Sequence, residues 1–296
     1  MMENADTQTG TRRPRFRRHR LIKPSFALQP RDVAIVRLVS EFRVISSDDL
    51  RLLLPGSDQG ILRRLQRLFH HGYLDRPRSQ RQRGNSPMVY ALGQRGAELV
   101  AETAGHRPRI DWTEKNRQLQ TRHLEHALMV SRFRVALSHA AQAAGTVAVE
   151  RWLPDGCLRD AVVVEHRDRR DRIPVAPDAL FTLRLDTGEA IHAFLEADRG
   201  TMDVPRFVTK LRGYYAYWRS GQQQERIGAK NCLVVTITRS AERATNLMHA
   251  ARAVSDRGLR MFIFTPETAY LPAARRTVFD AIWRTPADDD LHSPLE

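Results

Sequence analysis

Cysteine is nearly absent from this chain of 296 residues. Cys157 and Cys232 lie far apart and form no metal-ligand spacing, a usage that points to a reducing, cytoplasmic setting. No run of about eighteen apolar residues occurs, which excludes a membrane-spanning helix. The N-terminus carries arginines but lacks the apolar stretch of a secretion signal. No segment repeats at a fixed period. Acidic residues are also short: 34 Asp and Glu stand against 48 Lys and Arg, for a formal charge of +14 and a pI near 10.8. Such an excess predicts association with a polyanion, of which nucleic acid is the commonest. The length accommodates two domains and a sizeable core.

Residues 1–29 read as a basic arm. Arg12, Arg13, Arg15, Arg17, Arg18, Arg20 and Lys23 crowd a segment that also holds Pro14 and Pro24. That density repels itself and cannot be buried, so the arm is expected to be disordered alone. It suits lying along phosphates or entering a minor groove. A plain solubilising tail is the alternative.

Residues 30–105 carry a helix, helix, helix, hairpin order. Pro30-Arg31-Asp32 opens the first helix, and Ser46-Ser47-Asp48-Asp49 caps a short second one. Pro55-Gly56 breaks it. Ser57 or Asp58 caps a third helix that runs to about His71 and stops at Gly72. Tyr73-Leu74 and Met88–Leu92 follow as short strands, joined by an Arg-, Gln- and Ser-rich link. The order is that of a winged helix-turn-helix. On the third helix Leu62, Leu65 and Phe69 form the expected inner stripe, with Ile61 and Leu68 beside them. Arg63 and Arg67 lie opposite, flanked by Gln59, Arg64 and His70, the chemistry for phosphates and guanine edges. Arg76, Arg78, Arg81 and Arg83 on the wing would reach adjacent phosphates. A winged helix used for protein contact is the alternative.

Gln94–Ala104 is expected to close this domain as a helix, and His106–Ile110 to be a linker. Glu114 to about Ala144 reads as one long helix, on which His123 and His126 share a face. Two histidines three apart suit a metal, but no third ligand accompanies them, and a packing role is the bland reading. Ala148–Leu153 suits an edge strand, and Glu165–Arg172 a charged surface loop. Farther on, Asp203–Trp218 is amphipathic, with Val204, Phe207, Val208, Leu211, Tyr215 and Trp218 on one stripe. A polar break follows over Ser220–Lys230. Cys232–Thr238 and Met261–Thr265 are buried strands flanking a helix that Ser240 caps, a parallel crossover. Thr268–Trp283 is expected to close residues 112–285 as a helix, leaving 286–296 as an acidic tail.

The most informative stretch is Pro177–Lys210. Ala179–Leu185 and Ala190–Leu195, joined by Asp186-Thr187-Gly188-Glu189, form a hairpin pattern. Its register brings Asp178 near Glu196, and strand alternation puts Glu196 and Asp198 on one face. Three carboxylates crowded at a buried strand end repel unless a cation joins them, and Mg²⁺ or Mn²⁺ is the natural one. Solvated turn acids are the competing reading. Lys210, at the flank of the following helix, is expected to lean toward that acidic end; a solvated helix edge is the alternative.

This arrangement resembles the PD-(D/E)xK nuclease superfamily: Pro177-Asp178, then Glu196-x-Asp198 on consecutive strands. The superfamily usually has lysine where Asp198 stands, so Lys210 would be a migrated lysine. With both halves placed, the chain resembles the replication-relaxation family of plasmid and mobile-element proteins. The run PDALF…FLEADRGT…KLRGYYAY carries this, through Asp178, Glu196, Asp198, Gly200, Thr201, Lys210 and Tyr214. The resemblance implies a role in plasmid DNA replication, relaxation or transfer. The two-histidine type of relaxase is set aside, since no His-x-His triplet occurs. Tyr214, Tyr215 and Tyr217 are nicking candidates in principle, though aromatic residues so spaced more often pack.

The expected architecture is α/β (α+β overall): a winged helix-turn-helix, then a PD-(D/E)xK-like domain with a central mixed sheet. Asp178, Glu196 and Asp198 would hold Mg²⁺ or Mn²⁺, and Lys210 would steady the phosphate charge. The other open function is a non-catalytic DNA-binding regulator with a degenerate nuclease-like domain. Double-stranded DNA and replication or conjugation proteins are the expected partners, without a membrane; a homodimer stays open.

Overall fold

A computed structural model describes residues 16–18, 26–83, 86–103, 112–166, 169–255 and 260–295. The backbone divides into two units, Met1–Leu124 and Glu125–Glu296. The expected linker at 106–110 lies outside the described residues.

In the first unit, Pro30 and a reciprocal Gln29–Asp32 capping box start α1 (Pro30–Ser40). The Ser46 hydroxyl accepts from the Asp49 amide to start α2 (Ser47–Leu53), just after β1 (Ile45–Ser46). Ser57 does the same for α3 (Asp58–His70). Gly72, at φ +82°, turns the chain out of α3 where a side chain would be strained. The strands β2 (Leu74–Asp75) and β3 (Val89–Leu92) then make a three-stranded antiparallel sheet in the order β1-β3-β2. Arg78–Arg83 forms a 3₁₀ turn, and the buried Gln80 amide donates to the Val89 carbonyl and accepts from its N–H. Gln80 thus stands in for a strand neighbour.

The inner stripe of α3 is Ile61, Leu65, Leu68 and Phe69; Leu62, expected inside, is exposed. Spacing of four and three residues aligns Ile61, Leu65 and Leu68, and Leu62 sits about 100° away around the helix. After α4 (Gln94–Thr103), the expected continuous helix is two: α5 (Trp112–Arg117) and α6 (Thr121–Ala144).

Among the described residues the second unit is built on a seven-stranded mixed sheet. Its strands are β4 (Val147–Pro154), β7 (Ala179–Leu185), β8 (Ala190–Asp198), β9 (Leu233–Thr238), β10 (Phe262–Pro266), β11 (Trp283–Arg284) and β12 (Leu291–His292). They stand in the order β12-β11-β10-β9-β8-β7-β4, with β8, β9 and β10 parallel and the rest antiparallel. Alternation sorts the side chains into two cores. Leu180, Phe194, Val234 and Phe264 pack under α7 (Val204–Arg219) and α9 (Ala241–Ala251). Phe181, Leu195, Val235 and Ile263 pack against Met129, Phe133 and Leu137 of α6.

Several expectations are corrected in this unit. The segment expected as a charged loop at Glu165–Arg172 belongs to a hairpin, β5 (Asp160–His166) with β6 (Arg169–Val175). Val162, Ile173 and Val175 bury against α7, an apolar alternation hidden by the charges between them. On α7 itself Tyr214 and Tyr217 are buried, whereas Trp218 is exposed and Tyr215 half-buried. The polar break contains α8 (Gln222–Ile227), bracketed by left-handed Gly221 and Gly228 and held by buried Gln223, which donates to the Ala229 and Lys230 carbonyls. The expected closing helix at Thr268–Trp283 is two 3₁₀ turns and extended chain. Pro272 interrupts it, and Val278, Ile282 and Trp283 fill the core as an irregular strap. Within the expected acidic tail, Leu291–His292 adds an edge strand, Asp288 pairs with His292, and Asp289 with Arg252. Among the described residues no helix is long and apolar enough to cross a membrane.

One close approach gives a direct test of the first unit. A Cβ on Gly96 of α4 would meet the Tyr73 carbonyl oxygen at 2.2 Å. Gly96→Ala should therefore destabilise this unit by about 1–3 kcal/mol, despite alanine's better helix propensity. Hydrogen exchange at β2, β3 and α4 should report the loss, and unchanged protection there would show that the approach is not this tight.

Candidate functional site

The β7–β8 hairpin sets the site. Ala179 pairs with Leu195, and the Asp178 amide donates to the Leu195 carbonyl at 2.9 Å, so Asp178 stands opposite Glu196 at the hairpin's open end. Glu196 is buried, and both its oxygens are occupied by α7: the Lys210 ammonium donates to one, the Tyr214 hydroxyl to the other. Lys210 and Tyr214 are four apart, one turn of the same helix, so a single face delivers both. Asp178 accepts the Ala197 amide at 2.8 Å on one oxygen and meets His126 Nε2 at 3.0 Å on the other.

Asp198 is held elsewhere. Its carboxylate takes Nε of Arg243 at 2.7 Å and an Nη at 3.2 Å, while that guanidinium also donates to the Met202 carbonyl. Glu196 and Asp198 do share a face by parity. Two residues of strand nevertheless separate them by about 6–7 Å, and α9 places Arg243 over the second. The structure thus brings Asp178, Glu196 and Lys210 together and leaves Asp198 apart. Among the described residues no group of three or more His, Cys, Asp and Glu side chains is placed to hold a metal ion.

Sequence reasoning misses two members of this region. His126 reads as a packing residue; its partner is 52 residues away, and nothing local reveals it. Arg243 does carry a signal, a cation in the first turn of a helix, where the dipole disfavours positive charge. The nicking candidates Tyr214 and Tyr217 are buried donors to Glu196 and Asp160, and burial pushes both phenols up.

Titration follows from these contacts. Burial pushes the Glu196 carboxyl up to about 7, although Lys210 and Tyr214 oppose it. The hydrogen bond to Asp178 raises His126 above its ordinary value against the cost of burial. Burial also works against the Asp178 charge, but His126, Lys210 and the Ala197 amide outweigh it and hold the carboxyl low. Partial burial works against the Lys210 charge, and the Glu196 and Asp178 carboxylates raise it nonetheless. Raised Glu196 and His126 bind protons more tightly in the folded state. Their contributions to stability are therefore lost as pH rises, for Glu196 across about 4.5 to about 7. Asp178 works oppositely: its contribution is present above the ordinary carboxylate pKa and lost as pH falls through its depressed value.

The first unit carries the basic residues. Gln59, Arg63 and Arg67 are exposed on α3, opposite its buried stripe. Arg64 is not on that face: it forks onto the fully buried Asp32 carboxylate, which also caps α1. The Arg64 and Arg67 guanidiniums lie 5.7 and 5.1 Å from the Phe26 ring, which stacks on His71. Arg76 stacks on Phe69 at 4.2 Å and donates to the Tyr90 hydroxyl; Arg78 is exposed. Arg18 donates to the Phe69 and Leu74 carbonyls and faces Asp75 at 3.5 Å, and Arg17 is exposed. Arg12, Arg13, Arg15, Arg20 and Lys23 lie outside the described residues, as do the side chains of Arg81 and Arg83.

Fold and site together define a mixed α/β protein with a buried carboxylate–lysine cluster at a hairpin end. Residues 36–232 match the replication-relaxation family, and the chain belongs to it. That span contains His126, Asp178, Glu196 and Lys210 and ends before Arg243. Neither a curated protein nor a solved structure gives a significant match.

Since the Asp178 hydrogen bond is the largest cause of the His126 shift, Asp178→Asn should lower the His126 pKa. An NMR titration of the imidazole in parent and variant measures this. An unmoved midpoint would mean that the two side chains do not meet in solution.

Proposed function

We propose that the protein binds duplex DNA through its first unit in the replication or relaxation of a plasmid or mobile element. One observation carries this reading: α3 buries Ile61, Leu65, Leu68 and Phe69 while presenting Gln59, Arg63 and Arg67 on the opposite side. The order α1-β1-α2-α3-β2-β3 suits a winged helix-turn-helix, in which such a helix enters the major groove and the wing meets phosphates. Arg64 supports α3 through Asp32 and is not assigned a base contact. Replication or conjugation proteins are the protein partners this role would involve.

A second reading, metal-assisted phosphodiester chemistry in the second unit, is favoured by the convergence of Asp178, Glu196 and Lys210. Mg²⁺ is often held by only one or two carboxylates, with water and phosphate completing its shell. Asp178 and Glu196 fit that number; Asp198, committed to Arg243, does not join them. A bound Mg²⁺ or Mn²⁺ would supply an activated water and charge neutralisation. His126 would orient Asp178, Tyr214 would orient Glu196, and Lys210 would bring its positive charge to the phosphate. The competing role for this unit is a scaffold, supported by the protein partner that each carboxylate already has.

Arg63→Ala and Arg67→Ala should each weaken specific duplex binding by roughly 1–3 kcal/mol where the residue reads a base. Parental affinity in the double variant would remove α3 as the reading helix. Supercoiled plasmid incubated with Mn²⁺ separates the two readings of the second unit. Cleavage by the parent that is abolished in Asp178→Asn and Lys210→Met indicates an enzyme. A parent that binds plasmid without cutting it indicates a scaffold.

A further inference from the structure

Residues from four stretches of the first unit line a cavity of about 320 Å³. Phe16, Arg17 and Arg18 come from the arm, Phe69 from the last turn of α3, Asp75, Arg76 and Arg78 from β2 and the wing, and Asn116 and Arg117 from α5. Five arginines line it against one lining carboxylate, Asp75, and Arg117 also pairs with Glu114 at 3.0 Å. The geometry points to a phosphate pocket, occupied by a backbone phosphodiester of bound DNA. This rests on the DNA-binding reading and adds an anchor that neither α3 nor a free arm would supply.

The walls are built rather than incidental. Asn116 is fully buried: its amide donates to the Leu92 carbonyl at 2.9 Å and its oxygen accepts from Arg43 at 2.8 Å, which fixes α5 against the sheet. Arg18 is tied to the Phe69 and Leu74 carbonyls and so holds residues 16–18 at the end of α3. Arg76 has its plane set by the Phe69 and Tyr90 rings. Asp75, the one acid, is already engaged by the Arg76 amide and by Arg18. Guanidiniums pair with phosphate oxygens through parallel N–H groups, and several converging on one space make a stronger anion site than scattered surface charges. The volume exceeds by far the roughly 30 Å³ of one water, leaving room for a phosphate with attached sugar. The pocket also lies beside the last turn of α3 and the first wing residues, where a strand backbone would pass if α3 entered the groove.

The test uses the full-length chain and two exposed pocket positions, Arg117→Gln and Arg78→Gln, outside the α3 reading face. Anisotropy of a labelled short duplex is followed across a salt series. A covalently closed DNA circle and linear duplexes with and without terminal phosphates serve as competitors. Each variant is expected to bind several-fold more weakly on every sequence alike, with a salt slope shallower by about 0.9 for each phosphate no longer neutralised. The closed circle, which has no ends, should show the same weakening. A weakening confined to terminally phosphorylated linear DNA would support the pocket but make a strand end its occupant. Unchanged affinity and slope in both variants, with the parent still binding duplex, would overturn the pocket and leave the α3 reading intact. A parent that binds no duplex would remove the DNA-binding reading itself. The pocket would then be decided by inorganic phosphate at constant ionic strength. Heat stabilisation of the parent that disappears in Arg117→Gln would support an anion site, and an equal response would overturn it.

Discussion

A carboxylate drawn out of water at the end of a buried strand must meet a cation, accept hydrogen bonds, or take a proton. The second unit is arranged around that constraint at Glu196. The strand carrying it lies between two sheet neighbours and beneath α7, so its carboxylate has no water to turn to. One turn of α7 supplies both an ammonium and a phenol, and this pairs the hydrophobic docking of α7 with electrostatic closure of the sheet. Asp178 and Asp198 meet the same demand through different elements, His126 of α6 and Arg243 of α9. Three acids at one end of a hairpin thus each take a partner from a different helix, and each contact joins that helix to the sheet.

Buried polar contacts sort the arginines of the first unit in a similar way. Arg64 compensates Asp32 beneath the α1 cap, and Arg18 closes the end of α3. Arg63 and Arg67 are left on the exposed side of a helix whose other side is filled by aliphatic and aromatic groups. A net charge of +14 therefore does not translate into an even cationic surface. Among the described residues part of it is structural, and Arg63 and Arg67 are presented by α3.

Local chemistry made much of this legible. The caps at Ser46, Ser57, Asp203 and Ser240, the turn at Gly188 and the stop at Gly72 are short-range devices, and the elements they bound are the ones anticipated. The β7–β8 hairpin was legible for the same reason: a short Gly-containing link sets the register between its two apolar runs. Less legible were segments whose burial comes from partners far away. Glu165–Arg172 looked like a charged loop because the apolar residues that seat its hairpin on α7 lie to either side of it, and the strap at 268–283 looked helical although the core under the sheet takes it as 3₁₀ turns and extended chain.

By itself the sequence determined the order of α1, α2 and α3, the arginine-rich third helix, the β7–β8 hairpin, and the opposition of Asp178 to Glu196. Each of these rests on spacing of a few residues, where backbone geometry leaves few choices. Only the tertiary structure decided which charges meet. His126 reaches Asp178 across 52 positions and Arg243 reaches Asp198 across 45, and such pairings are set by how helices pack on the sheet. That packing turned an expected three-carboxylate cluster into a carboxylate–lysine site with its own ion pairs. The reason is physical: parity along a strand fixes which face a side chain takes, but the helix lying over that face fixes its partner.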